Sequence, residues 1–337
     1  MSVVLVTGGA GYVGSHSVKI LAASGYDVVV YDDLSAGHAE SVERIAAAHP
    51  DRRVTLVQGD ILDTARVRQA LVESGASAVM HFAAKLSVGE SVREPFLYYR
   101  VNVGGALSVL QAMAEAGVKS FVFSSTAATF GEPQTTPIDE THPQRPINPY
   151  GESKLAVERV FPHMERTFGI RCIGLRYFNA AGADESGIIG EDHHPEEHLI
   201  PLAVAAVRGG KALTVFGDDW DTPDGTCIRD YIHVSDLADA HVASLKRLQS
   251  GGPSGYFNLG SGDGMSVRQV IETVGRVAGT RVPHSIGPRR AGDPARLVAS
   301  NARARAELGW TPSRASLDTI VRTAWHWHER QPKGYSG

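Results

Sequence analysis

Tyr150 and Lys154 are spaced to move a proton in this 337-residue chain. They stand at i and i+4 behind Pro149, a residue suited to the first turn of a helix, and so share one helical face. A phenol with a pKa near 10 is a poor base at neutral pH, and burial raises that value further. A cation about 6 Å away at an effective dielectric of about 20 returns about 2 to 3 kcal/mol, on the order of two pKa units. Lys154 supplies one such charge. An oxidised nicotinamide would supply a second, and the two together bring the phenol near enough to neutrality to take a proton from a hydroxyl group. Ser125 and Thr126, at the end of an apolar run, can hydrogen bond the same hydroxyl and relay its proton.

A second group of residues is suited to binding. TGGAGYVGSH at 7–16 places Gly8, Gly11 and Gly14 around Tyr12 and Val13, directly after a strand-like run and at the start of a helical one. Glycine there permits a tight turn, close approach of backbone N–H groups to a pyrophosphate, and close packing of helix on strand. Asp32 ends the next apolar run, where a carboxylate can accept from ribose hydroxyls. No lysine or arginine occupies 33–38 to meet a 2′-phosphate, so the spacing favours NAD over NADP. Asp60 and Ile61 follow the third run, and Phe82 and Ala83 the fourth.

These groups meet only if strands and helices carry them to one rim. Apolar, β-branched runs at 3–7, 28–31, 54–58, 78–82, 121–125 and 171–176 alternate with helical stretches at 15–23, 65–73, 96–116 and 149–165. Continuous apolar strands between helices predict an α/β fold, a Rossmann-type doubly wound parallel sheet. Past 178 the texture turns to glycine, proline and acid. An NAD-binding domain over 1–178 is therefore expected to give way to a smaller α/β substrate-binding domain over 179–337, with the chain crossing back between them. Helical patterns there lie at 199–208, 237–248, 267–277 and 301–308.

Composition narrows the function. Hydrophobic residues are 42% and charged residues 21%, as in ordinary folded domains. With 33 basic against 37 acidic residues, a net charge of −4 and no long block of either sign, electrostatic capture of nucleic acid or of an anionic membrane is not expected. No apolar run approaches the roughly 18 residues of a membrane span. The first strand begins without a charged leader, and Cys172 and Cys227 lack a partner at redox or metal spacing, so a cytoplasmic protein is expected. His193, His194 and His198 among Glu191, Asp192 and Glu196 read as a proline-broken acidic loop, and no metal is expected. His326 and His328 beside Trp325 and Trp327 read as an amphipathic final helix.

TGGAGYVGSH, GDI at 59–61, HFAA at 81–84, VGES at 88–91, YGESK at 150–154, RYFNAAGA at 176–183, RDYIHVSDLADAH at 229–241, NLGSG at 258–262, PRRAGDP at 288–294 and TAWHWHER at 323–330 together resemble the UDP-glucose (UDP-galactose) 4-epimerase family of the extended short-chain dehydrogenase/reductase group. The resemblance implies reversible inversion at C4 of a UDP-hexose with tightly bound NAD. Tyr150 would take the O4 proton while hydride passes from C4 to NAD, and the 4-keto sugar would turn and receive hydride on its other face. It further implies that Arg229 and Arg290 meet the diphosphate, whose oxygens a guanidinium matches. Asn179, Leu199, Val215, Phe216 and Asp293 would line the uridine-diphosphate pocket and Phe178 would border the nicotinamide. Two chains would pair through the helices at 96–116 and 149–165.

The departures from the family pattern matter as much. Lys85 stands one place earlier than in members reading L-K before A-V-G-E-S, and Val101 replaces an asparagine, leaving Asn102. His198 replaces an asparagine near the diphosphate and can still donate a hydrogen bond. Leu297 stands where some relatives carry tyrosine, which implies room for the 2-acetamido group of UDP-GlcNAc and UDP-GalNAc. Ala127 and Ala128 follow Thr126 where a 4,6-dehydratase carries an Asp-Glu pair, so dehydration is not expected. Pentose and uronate epimerases are the nearest alternatives. A redox-sensing module without catalysis has no use for Thr126, Tyr150 and Lys154 in reacting order.

Overall fold

The computed structural model describes residues 2–290 and 293–336. Strands β1 (Val3–Thr7), β2 (Asp27–Asp32), β3 (Val54–Gln58), β4 (Ala76–His81), β5 (Ser120–Thr126) and β6 (Arg171–Tyr177) alternate with helices α1 (Tyr12–Ala23), α2 (Ala39–Ala48), α3 (Thr64–Ser74), α4 (Val88–Arg93), α5 (Pro95–Tyr98), α6 (Gly105–Ala116), α7 (Pro149–Glu158) and α8 (Phe161–Phe168). The remainder contributes short strands β7 (Asn179–Ala181), β8 (Leu213–Phe216), β9 (Ile228–Arg229), β10 (Tyr231–His233), β11 (Gly255–Leu259), β12 (Met265–Ser266), β13 (His284–Gly287) and β14 (Arg296–Leu297). Its helices are α9 (Leu199–Val207), α10 (Val234–Gln249), α11 (Val267–Ala278), α12 (Ala302–Leu308) and α13 (Leu317–Arg330).

The large sheet runs β11-β6-β5-β4-β1-β2-β3 with every pair parallel. Successive strand residues point to opposite faces, so each apolar run feeds two cores. Val4, Val6, Val28 and Val30 pack with Val18 and Leu21 of α1, Ile45 of α2 and Leu245 of α10. Leu5, Val29, Tyr31, Phe121 and Phe123 pack on the other face with Leu71 of α3 and Val109 and Met113 of α6. A third core, from Ile200 and Val204 of α9, Val270 and Val274 of α11 and Ile320 of α13, belongs to the second lobe. The chain returns after β10. Helix α10 packs on α1, and β11 adds the last strand of the large sheet beside β6.

Two predicted helices are interrupted. The stretch 96–116 is α5, a π-helical turn over Tyr99–Gly104, and α6. The stretch 149–165 breaks after α7, because Pro162 has no N–H to continue the hydrogen-bond ladder and suits only the opening turn of α8. Cys172 and Cys227 are free and buried. Among the described residues no helix is long and apolar enough to cross a membrane.

Candidate active site

Strand order reverses between β4 and β1, and the turns that leave these two strands form the crevice. Gly8 has φ 70°, and a Cβ there would enter the backbone of Ala83 in the turn after β4. A Cβ at Gly14 would run into the Gly8 carbonyl oxygen. Gly11 is different. Its φ of −81° is open to any residue, and a Cβ would meet the Gly8 carbonyl oxygen only at an ordinary 3.5 Å. Among the described residues no close contact demands glycine at 11. Helix α1 starts on Gly11 with no side-chain cap and no acid in its first turn, leaving its N–H groups and dipole available to an anion. Asp32 is 6% exposed and accepts from Ala10 N at 3.0 Å and Leu34 N at 2.9 Å, one bond to each carboxylate oxygen. Burial raises its pKa, and those two backbone bonds oppose the rise. Asp60 holds Leu62 N at 2.9 Å, while Ile61 is buried against Gly105 of α6.

Asn148 caps α7 by accepting from Gly151 N at 2.9 Å, and Pro149 takes the next position. The cap sets Tyr150 and Lys154 on the face turned toward β5. Lys154 is 2% exposed, with Nζ 2.9 Å from the Ser124 carbonyl oxygen and 4.9 Å from the centre of the Phe123 ring. Burial lowers its pKa to about 7, with the Glu158 charge acting in the opposite sense. Burial raises Tyr150, and hydrogen bonding to Thr126 partly offsets the rise. The protein alone therefore keeps Tyr150 a phenol. Tyr98 meets Tyr150 edge to face at 6.5 Å, and Tyr177 OH lies 2.5 Å from Ser124 Oγ.

Ser125 does not join this group. Strand alternation turns it away from Thr126, and its Oγ donates to Glu158 Oε1 at 2.5 Å, one turn beyond Lys154 on α7. Glu158 pairs there with Arg176 at 2.6 Å and accepts from Gln144 at 3.1 Å, in a buried network that uses the serine hydroxyl. Thr126 is the hydroxyl beside Tyr150. The π-helical turn presents Asn102, whose Oδ1 accepts from Lys85 N at 2.8 Å and whose Nδ2 donates to Lys85 O at 3.1 Å and Ser153 Oγ at 3.0 Å. Asn102 thus ties the Lys85 loop to α7, a positioning role, and Lys85 meets it through its backbone.

Phe178, directly after β6, and Leu297, brought by the second lobe, are both half-buried and pack against Ala127, Phe130 and Ile138. Asn179 donates through Nδ2 to the Asp230 carbonyl at 3.0 Å. Arg229 and Arg290 converge on Asp293, at 3.6 Å and 3.2 Å, and Arg290 lies 4.5 Å over the Phe216 ring. Arg229 also donates to the carbonyls of Ile228 and Pro294 at 3.0 and 2.8 Å, so part of its fork is engaged within the protein. Of the pair Val215 and Phe216 only Phe216 presents a side chain outward, because alternation along β8 buries Val215 in the lobe's own core. Ala291 and Gly292 of the 288–294 motif lie outside the described residues.

His198 precedes Leu199 at the start of α9, but its Nδ1 faces Glu191 at 2.8 Å and Glu196 at 2.9 Å rather than a free diphosphate position. Burial opposes charge on this ring, yet the two carboxylates outweigh it and lift its pKa to about 10. The stretch read as a proline-broken acidic loop packs as a strap against α1 and α13. Lys19 of α1 pairs with Asp184, Tyr12 OH donates to Gly182 O at 2.6 Å, and Trp327 Nε1 donates to Glu191 O at 2.9 Å.

The model of the NAD dependent epimerase/dehydratase family matches residues 4–260. The chain belongs to this family. It is 47% identical over 333 residues to UDP-glucose 4-epimerase of Lacticaseibacillus casei, covering 98% of each chain. Its fold matches UDP-glucose 4-epimerase from Brucella ovis in complex with NAD with TM-score 0.92 and 48% identity, covering 97% of this chain and 98% of the other. The structure from Bifidobacterium longum in complex with NAD+ and UDP matches with TM-score 0.92 and 38% identity, covering 99% and 100%.

As a member of the epimerase/dehydratase family the chain has a site that fits NAD. The vacant side-chain position at Gly11, the uncapped start of α1, the remaining lone pairs of Asp32 and the undirected donors of Lys154 are the groups a dinucleotide calls for. Sequence reading passed over Tyr177, Glu158 and Asp230. Asp230, fully buried, accepts from Ser261 N at 2.7 Å and Ala299 N at 3.0 Å and so joins β9 to the turn after β11. Its signal was the RDY motif, where an acid follows the candidate phosphate-binding arginine.

Proposed function

We propose that the chain interconverts UDP-glucose and UDP-galactose by inverting C4 through a 4-keto sugar, an isomerase reaction without net redox change. One observation carries the reading: Thr126, Tyr150 and buried Lys154 meet at the carboxyl end of β5, on the same rim as the glycine turn of β1 two strands away, in a chain alignable from end to end with 4-epimerases. NAD, when bound, supplies the acceptor that takes the C4 hydrogen with its electron pair and gives it back. Tyr150 removes the O4 proton and returns it, and Thr126 orders the same hydroxyl. Because burial holds Tyr150 protonated and lowers the pKa of Lys154 to about 7, the tyrosine becomes a base only when a bound cofactor's positive charge adds to that of Lys154.

A ketone that must offer both faces needs a hexose held loosely and a nucleotide held firmly. Arg229, Arg290, Asp293, Asn179, Leu199 and Phe216 are assigned to the UDP. Residues 1–178 with the returning α10 and β11 bind NAD, and the rest of 179–337 binds the UDP-sugar. The aliphatic wall at Leu297 supports UDP-GlcNAc and UDP-GalNAc as a second substrate pair. Val88, Val92, Phe96 and Leu107 stay exposed along α4 to α6, with Phe96 88% exposed, and support pairing of two copies there. The two buried free thiols support a cytoplasmic setting. Incubation with UDP-galactose, and separately with UDP-GlcNAc, followed by separation of the products, tests the reading. UDP-galactose returned unchanged by NAD-loaded protein overturns it, whereas inertness toward UDP-GlcNAc alone removes the second pair.

A further inference from the structure

Four side chains of the strap ahead of α9 turn ligand atoms toward one point. His193 Nδ1 lies 3.1 Å from Glu191 Oε1 and 3.8 Å from Glu196 Oε2, and His198 Nδ1 lies 2.8 Å from Glu191 Oε1 and 2.9 Å from Glu196 Oε1. One donor atom from each falls within 4.8 Å of all the others. Zinc holds such donors at about 2.0 to 2.1 Å on the corners of a tetrahedron, which sets the corners about 3.3 Å apart. The observed separations straddle that spacing. Two imidazole nitrogens and two carboxylate oxygens form a donor set that zinc and its first-row neighbours accept without thiolate.

Charge and packing agree with the geometry. Glu191, 4% exposed, and Glu196 hold the protonated His198 ring at 2.8 and 2.9 Å, and a divalent ion displaces that proton and sets two positive units in place of one. Asp192 and His194 of the same strap stay apart from the group, pairing with each other at 3.2 Å, and His194 is 79% exposed. Outer contacts reach two of the four residues. The Tyr12 ring meets His193 edge to face at 5.9 Å, and Trp327 donates to the Glu191 carbonyl. His328, whose Nε2 is buried with no hydrogen-bond partner among the described residues, feels the charges of Glu191 and Glu196.

We propose that Glu191, His193, Glu196 and His198 bind one divalent transition-metal ion of the zinc type. The ion is structural: it pins the strap between Tyr12 of the glycine turn and the start of α9, and so fixes one lobe on the other beside the crevice. The test uses the full-length, NAD-loaded protein, stripped with a chelator and then given Zn2+ or Co2+. The expected results are about one ion bound per chain, a Co2+ visible spectrum of the intense, four-coordinate kind, and a rise in Tm of several degrees at saturating Zn2+. His193→Ala should lose the ion and the spectrum, while His194→Ala keeps both. Should His193→Ala fail to fold, Glu196→Gln, nearly the same shape, should weaken Co2+ binding at least about tenfold. Substoichiometric metal, the weak spectrum of hydrated Co2+, or equal binding by the parent chain and Glu196→Gln would overturn the site and leave a hydrogen-bonded His-Glu cluster.

Discussion

Ser125 and Thr126 are adjacent hydroxyls with opposite tasks, and substitution separates them. Thr126→Val, which keeps the shape and removes the hydroxyl beside Tyr150, should lower kcat and, by removing the cap that accepts from Ala128 N, should cost about 1 kcal/mol of stability. Ser125→Ala takes a hydrogen bond from the buried Glu158–Arg176 network and should cost about 1 to 3 kcal/mol in a denaturant titration while the reaction continues. Tyr150→Phe should reduce turnover of UDP-galactose by about 10² or more with the dinucleotide still bound, and near-normal turnover would mean that another group is the base. Lys154 gives a pH signature. In the ligand-free protein its pKa falls from 10.5 to about 7, so between those values the unfolded chain binds the extra proton. Stability should therefore climb as pH rises from 7 toward 10 and be lowest at 7 and below, and Lys154→Met should flatten that climb in urea titrations by a few kcal/mol.

At the level of elements, the glycine turn divides into positions where the fold itself needs glycine and one where it does not. Gly14→Ala forces a methyl group into the Gly8 carbonyl and should displace α1 from β1, lowering both stability and NAD retention. Gly11→Ala meets only the Gly8 carbonyl oxygen at an ordinary 3.5 Å and changes an N-cap, so its Tm should fall much less than that of Gly14→Ala while retained NAD, read from the absorbance of released dinucleotide, falls. Equal loss of stability in the two variants would contradict this division. The π-helical turn at Tyr99–Gly104 works similarly through geometry: it rotates Asn102 toward Lys85 and Ser153, which a regular helix over 96–116 would not require. Periodicity marks that stretch as helical but is blind to one extra residue in a turn. The break before α8 was legible in Pro162, since a ring nitrogen without hydrogen cannot continue the ladder.

For the whole molecule, the exposed apolar row on α4 to α6 should be covered by a second copy. Phe96→Asp should shift the protein to monomer in sedimentation velocity without altering its circular dichroism, and a parent chain that is already monomeric would remove the interface. The alternation of β-branched runs with helices was enough to determine a doubly wound parallel sheet, and glycine spacing after the first strand pointed to a dinucleotide site, because both depend on residues near one another in the chain. Which member of each neighbouring pair faces the crevice, Thr126 over Ser125 and Phe216 over Val215, was decided only in three dimensions. Alternation separates such neighbours, but the packing of the opposite layer chooses the face. The return of β11 to the large sheet, the convergence of Arg229 and Arg290 on Asp293, and the gathering of Glu191, His193, Glu196 and His198 also rest on contacts between distant segments such as Tyr12 with Gly182 and Trp327 with Glu191. No local pattern encodes such meetings, since they exist only once the two lobes have packed together.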